Sequence, residues 1–548
     1  MIRYAAWSHR FGVAGYAAFL IVFVGVEVSS YGNLNSDAAQ RASFGVQMQK
    51  VGDATSYLVA PPLHLELLDG YLQWFLVGFF PVFLPVWALI AGTGAFRGEE
   101  ESGLLEQWLA TGITRGRLVA ARLLGFLLAL AATVLAIDLV LLAAVAAGGA
   151  RLNTAGLLQQ SVAEAAVAPP IFMLGAFLAQ FYPTRRNALG SGALVVGLLF
   201  FFNSATRSVG SLQPYRWISP WAYADLSHAM TPGGELSIGG VVVLVALTLV
   251  LAAGVWQLLG HRDVGSGLIG GERAGPADVA PTSNPIASWP GLSAVWEQRV
   301  GLGMWMLGIA GYCFINVPVA DRFVDFFRSQ IESGASPAAA QQAKLAFGFG
   351  GADPVAGFVS AVWFHVVCIM LSAYAITQVA RWSAEDAEGR LEVVLAAGRP
   401  RWRVATDRVV GLTVALSVLI AGEFGVLLPA LRLGHINVAT ERVLLASIMV
   451  LPVALAFGAA GAAIASFRPR VAVWSMSALV AIGYLIPLMA AQIFRQPPEW
   501  FLDLSPFQLY GAPLVDGVYW KGLWILLGIA VTGFGLSAWM LNRREVGR

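Results

Sequence analysis

Charge is what this chain has least of: 12% of its 548 residues are Asp, Glu, Lys or Arg, about half of what a soluble domain carries. With 57% hydrophobic residues and a mean hydropathy of +0.70, it reads as a bilayer protein. Lysine is nearly missing. Lys50, Lys344 and Lys521 follow Gln49, Ala343 and Trp520, so no Gly-Lys-Ser/Thr stands where a P-loop needs it to reach phosphates, and the sequence holds no nucleotide site. The two cysteines, Cys313 and Cys368, fall in apolar runs, which argues against a disulfide framework or a metal centre. Six scattered histidines without His-Glu-x-x-His or an Asp-rich motif argue against a membrane-bound enzyme such as a lipid transferase. A net charge of +2 gives no nucleic-acid footprint.

Long apolar runs are abundant. They lie near 12–30, 71–95, 118–147, 157–181, 187–205 and 238–260, then near 300–320, 355–380, 404–431, 443–466, 471–493 and 519–541. About 20 apolar residues cross roughly 30 Å of hydrocarbon as helix, so the expected fold is an all-α polytopic membrane protein of twelve spans, six per half. The first run, preceded by Arg3 and Arg10, has the look of a signal peptide. Its counterpart at 296–320 cannot be one, and both are read as spans with short interfacial helices before them.

The halves repeat one another. Residues 98–125 align without a gap on 384–411, so that Gly103, Leu105, Glu106, Leu109, Ala110, Gly112, Arg115, Arg117, Arg122 and Gly125 fall on Gly389, Leu391, Glu392, Leu395, Ala396, Gly398, Arg401, Arg403, Arg408 and Gly411. Trp-Ser-His-Arg-Phe-Gly at 7–12 matches Trp-Glu-Gln-Arg-Val-Gly at 296–301, Phe181 and Pro183 match Phe467 and Pro469, and Arg-Asp-Val-Gly at 262–265 matches Arg-Glu-Val-Gly at 544–547. Order and spacing hold throughout, which implies a parallel duplication: a first half at 1–264, a Gly/Pro/Ser-rich cytoplasmic linker at 265–295 and a second half at 296–548. Arginine gathers on alternate connections, including Arg97, Arg185, Arg186, Arg381, Arg468 and Arg470, which by the positive-inside bias places both termini in the cytoplasm.

The repeated segment between the second and third spans of each half predicts a short amphipathic helix. Leu104, Leu105, Trp108 and Leu109 share one face, as do Leu391, Val394 and Leu395. Glu99, Glu100 and Glu101, answered by Glu385, Asp386 and Glu388, sit at or before the helix start, where its dipole favours negative charge. Gly112 and Gly398 end it.

At these residues the chain resembles the permeases of ABC type-2 exporters, in which an acidic-Gly-x-Leu-Glu helix rests on the ATP-binding subunit. A fused twelve-span form with Trp-x-x-Arg opening each half looks most like the tetronasin and polyketide-antibiotic exporter permeases of actinobacteria. The resemblance implies a type V exporter-like fold in the bacterial cytoplasmic membrane and antibiotic or multidrug efflux. It also implies two copies of a separate ATP-binding subunit that carry ATP and Mg. Glu99, Glu100, Glu101, Gly103, Leu105, Glu106, Trp108 and Leu109, with Glu388, Gly389, Leu391, Glu392, Val394 and Leu395, would form the coupling surface.

Two further regions draw attention. Phe75, Phe79, Phe83 and Trp87 recur at four-residue steps on the second span, where the resembling exporters line their cavity; Phe201, His365 and Tyr484 are further cavity candidates. This aromatic wall suits a hydrophobic or amphipathic cargo. Before the last span of each half, Trp217, Pro220 and Trp221 and their counterparts Trp500, Pro506 and Phe507 lie in Pro-broken aromatic stretches, read as an outer gate or as an interfacial aromatic belt. Asp138 and Glu423 fall at nearly equivalent places near the outer ends of the third and ninth spans, as structural groups. The alternative function is a proton-coupled twelve-span secondary drug transporter. That class carries a basic loop after its second span, whereas this one is acidic and helical.

Overall fold

In the computed structural model, residues 1–10, 12–15, 60–208, 210–269, 290–317, 354–387, 389–468 and 498–543 are described, with isolated positions between them. Every regular element among them is helical. They fall into two compact units, Met1–Asp278 and Val279–Arg548. Nine helices among the described residues are long and apolar enough to cross a membrane. Of the other predicted spans, those near 12–30 and 471–493 lie largely outside the described residues, and the one near 300–320 is an 18-residue helix, Arg299–Asn316.

In unit 1 the main helices are α1 (Ile2–Ser8), α2 (Leu68–Phe75), α3 (Phe80–Thr93), α4 (Leu104–Ala110), α5 (Arg115–Ala147), α6 (Thr154–Ala165), α7 (Ala168–Phe181), α8 (Arg185–Ser208) and α9 (Ile238–His261). Polar caps set several of their starts. Thr114 accepts from the Arg117 N–H before α5, Asn153 accepts from Gly156 before α6, and Ser237 accepts from Gly240 before α9, each satisfying an amide with no partner inside the helix. The core is aromatic where α3, α5 and α7 meet: Phe126 stacks on Phe172 at 4.3 Å, and Trp87 packs on Phe126 at 5.2 Å.

The second span of unit 1, Leu68–Glu101, is not one regular helix. A 3₁₀ turn at Val77–Phe79 separates α2 from α3, just before Pro81. Pro85 lies inside α3; with no N–H it cannot donate to the Pro81 carbonyl four residues earlier. The indole N–H of Trp221 donates to that carbonyl instead, at 2.6 Å, so a side chain from before the last span closes the gap that proline leaves.

Unit 2 contains α10 (Pro290–Glu297), α11 (Arg299–Asn316), α12 (His365–Ala387), α13 (Arg390–Ala396), α14 (Arg401–Leu433), α15 (Thr440–Phe467) and α16 (Trp520–Arg543). The long helices α5 and α14 are each 33 residues and start 286 positions apart. The core gathers Trp363, Phe364, Tyr374, Phe457 and Phe507. Leu371 stands where unit 1 has Pro85, and Phe507 where it has Trp221. Without the proline there is no vacated carbonyl, and the ring without a donor stacks on Phe457 at 5.4 Å.

Asp138 and Glu423 are buried. Ser161 donates to Asp138 at 2.8 Å, and the Trp363 indole donates to Glu423 at 2.7 Å. One oxygen of each carboxylate is thereby satisfied.

Candidate functional site

The two repeated loops have the same backbone design. Gly103 (φ 72°) precedes α4 and Gly112 (φ 79°) follows it; Gly389 (φ 74°) precedes α13 and Gly398 (φ 79°) follows it. Each glycine occupies the left-handed region, where a side chain is strained, so both loops are a seven-residue helix held between two sharp reversals. Leu105 and Leu391 are the buried anchors of the two helices. Glu106, Gln107 and Ala110 of the first, and Glu392, Val393, Val394 and Ala396 of the second, face outward.

Arginines shared by the two copies tie each loop to its bundle. Arg115 donates to the carbonyl of Gly260 at the end of α9, and Arg401 donates to those of Leu541 and Asn542 at the end of α16. Both place a cation on helix C-terminal carbonyls, where the dipole favours it. Arg122 pairs with Glu99, and Arg408 pairs with Asp386 at 2.7 Å and with Glu385 at 3.7 Å.

The acids therefore do not form one outward surface. Glu100 is buried between Arg97 at 3.1 Å and Arg262 at 2.6 Å and accepts from the Gly265 N–H at 2.6 Å. Arg262 also donates to Gln180, and Arg97 to the Ala179 carbonyl. Glu101 accepts from the backbone N–H of Arg185 at the start of α8. Glu99 and Glu100 thus tie the first loop to the spans through charge-assisted hydrogen bonds, while Glu101 does so from an exposed position. Glu388 lies outside the described residues.

Arg97, Gln180 and Arg262 were not sequence candidates. The signal for Arg262 was present in the Arg-Asp-Val-Gly motif that recurs at the end of the chain.

The first loop is further sealed by rings. Trp108 and Tyr4 meet at 5.3 Å, and the Arg122 guanidinium lies 5.4 Å from the Tyr4 ring and 6.0 Å from that of Trp108. Trp108 and Leu109 pack on the core of unit 1. His9, next to α1, is buried and touches Trp87, Phe126 and Phe172 edge-on. That burial, with Arg122 nearby, holds its pKa down at about 4.

The aromatic stripe divides. Phe75, Phe79 and Phe83 form a ladder with ring spacings of 6.0 and 6.1 Å, each ring partly exposed. Trp87 leaves it and is buried in the core, so it offers no surface to a cargo. Phe201 is partly open beside Phe200, and Phe200 leans on Trp221 at 5.5 Å. In unit 2, His365 accompanies Tyr510 at 6.0 Å, and Tyr484 is exposed.

The residues read from the sequence as an outer gate sort by burial. Trp221 and Phe507 are buried wedges, whereas Trp217 and Trp500 are exposed. The Ser-Pro pairs at Pro220 and Pro506 bury their serines, Ser505 donating to the Gly483 carbonyl at 2.6 Å. Arg207 grips Asp225 through two donors at 2.9 and 2.5 Å, fixing the segment that carries Trp221.

Residues 8–219 match the family described as ABC-2 family transporter protein, and residues 290–541 match the C-terminal domain of the multidrug efflux system permease Rv1217c. No curated protein matches the chain. Together the two similarities support an ABC-2 type multidrug exporter permease, a multi-pass membrane protein of a kind that works with ATP-binding subunits and is generally not itself an enzyme.

Proposed function

We propose that this ABC-2 type permease exports hydrophobic or amphipathic compounds, antibiotics among them, and is driven by two copies of a separate subunit that binds ATP and Mg, one beneath each glycine-bounded loop. The observation that carries the reading is the recurrence of one loop design: left-handed glycine, seven-residue helix, left-handed glycine, and two arginines that fasten the loop to the spans. A push on such a loop is delivered to the start of α5 or α14 and to the end of α9 or α16. The outward residues, led by Glu106 and Glu392, form the docking faces. In this reading the chain is two parallel six-span halves of tetronasin-exporter type in the bacterial cytoplasmic membrane, with both termini inside.

Cargo binding falls to the ladder of Phe75, Phe79 and Phe83, whose apolar rings suit promiscuous recognition, since one methylene changes affinity by only about 1–3 kcal/mol. Replacing Glu106 and Glu392 together with Lys reverses charge on both docking faces. The double variant is expected to lose co-purification of the ATP-binding subunit or drug-stimulated ATP turnover. Wild-type yield and turnover in that variant would overturn the docking assignment.

A further inference from the structure

We propose that unit 2 holds a site for a zwitterionic phospholipid headgroup, a phosphate joined to a primary amine, between its glycine-bounded loop and the spans. A cavity of about 430 Å³ lies there, walled by α10, α12, α13 and α14; ligand sites span roughly 300–1,000 Å³. Unit 1 has the counterpart of the same arginine, but two rings cover it. Trp108 and Tyr4 lie against Arg122, whereas the repeat puts Val394 and Ser293 at those positions beside Arg408. Arg408 keeps one ring, that of Trp382 at 5.8 Å, and the cavity lies beside it where the repeat has no counterpart of Trp108 and Tyr4.

Its charges select the occupant. Arg381, Arg390, Arg399 and Arg408 line it together with Glu297, Glu385 and Asp407. Arg381 is shared between Glu297 at 3.0 Å and Glu385 at 3.1 Å. Arg399 is largely exposed and stands 3.6 Å from Asp407, beyond hydrogen-bonding range, so its fork of donors suits a phosphate. A simple anion would meet three carboxylates and a simple cation four guanidinium groups; a phosphate with an amine places each charge against its opposite. The apolar part of the wall, Trp382, Leu391 and Leu412, receives the glycerol and first acyl carbons. Two of the walls are the ends of membrane spans, which places the cavity where inner- or outer-leaflet headgroups lie and makes a lipid the occupant.

The test uses the full chain purified in detergent, with native mass spectrometry of retained phosphatidylethanolamine, phosphatidylcholine and phosphatidylglycerol of matched acyl chains. Preferential retention of one phosphatidylethanolamine is expected, because methylation removes the amine donors and glycerol lacks the positive charge. Ser293→Tyr with Val394→Trp, which restores the rings of unit 1, is expected to cut that retention about tenfold. The exposed pair Arg399→Ala and Asp407→Ala gives the same reading should the filled variant fail to fold. Equal retention of the three lipids, or retention indifferent to either pair, would overturn the site. Equal competition by soluble phosphoethanolamine would overturn the lipid assignment in favour of a soluble ligand. None of these readouts requires ATP hydrolysis, so they stand apart from the docking test.

Discussion

The two loops share a backbone and differ in what holds them. In unit 1 an acid is sunk between two buried arginines, and a tryptophan and a tyrosine close over a third. In unit 2, Asp386 pairs with an arginine that is partly open to solvent, and a cavity lies beside that arginine. Identical glycine and arginine positions thus set the shape of the loop, while the residues between them set how firmly it is seated. The first loop is built as a rigid lever. The second is seated on weaker, wetter contacts.

The sharpest way to break this contrast is to remove the central acid of each loop. Glu100→Gln strands the buried Arg97 and Arg262 without their carboxylate, a loss of about 3–5 kcal/mol; Asp386→Asn, at a partly exposed pair, is expected to cost no more than about 1 kcal/mol. Thermal unfolding and membrane yield of the two variants check the ranking, and equal effects would show that burial does not distinguish the loops.

A second contrast lies at Trp221 and Phe507. Trp221→Phe removes the donor to the Pro81 carbonyl, and an unsatisfied buried acceptor costs about 1–3 kcal/mol. Adding Pro85→Leu, the combination that unit 2 carries at these positions, supplies a backbone N–H to the same carbonyl and is expected to recover most of the loss in a double-mutant cycle. Additive damage would mean that the indole's packing, not its hydrogen bond, is what matters.

Trp108→Val gives the first loop the residue of the second. It removes one ring from Arg122, a contact of about 0.5–2 kcal/mol. Hydrogen exchange over 99–114 is expected to speed toward that of 389–400, and an unchanged rate would assign the stiffness to the Glu100 cluster alone.

The smallest expected effect is one of pH. His9 titrates at about 4 in the fold and near 6.5 when unfolded, so between those values the unfolded segment holds more protons and stability falls as pH drops. Exchange around α1, after correction for intrinsic rates, is expected to rise from pH 7 to pH 5, while 295–301, with Gln298 at the matching place, stays flat. His9→Gln should abolish the difference.

The lipid-soluble class, the helical period of the loops and their glycine boundaries were legible from residue types alone, because apolar run length, turn chemistry and a left-handed backbone are local properties. The recurring segment made the two short helices visible twice, with Leu105 and Leu391 on the inward face. Of the acids read as one outward surface, Glu101 is exposed, Glu99 half-buried and Glu100 buried, and the sequence did not show this because the partners Arg122, Arg185 and Arg262 come from distant segments and no local pattern shows which way a carboxylate turns. The four-residue stripe likewise predicted a common face for Phe75, Phe79, Phe83 and Trp87, but a four-residue step overshoots a 3.6-residue turn by about 40°, so the stripe winds round the helix and Trp87 enters the core.

What the sequence determined by itself was composition, span lengths, the paired loops and the places where glycine or proline restricts the chain, all set within a few neighbouring residues. Only the tertiary structure decided that Trp221 satisfies the carbonyl Pro85 leaves open, that Arg262 joins Glu100 across 162 positions, and that Trp108 and Tyr4 close over Arg122 while a cavity lies beside Arg408. Those outcomes depend on which side chains from remote segments meet in a low-dielectric interior, where an unmatched charge or polar group is costly enough to select its partner.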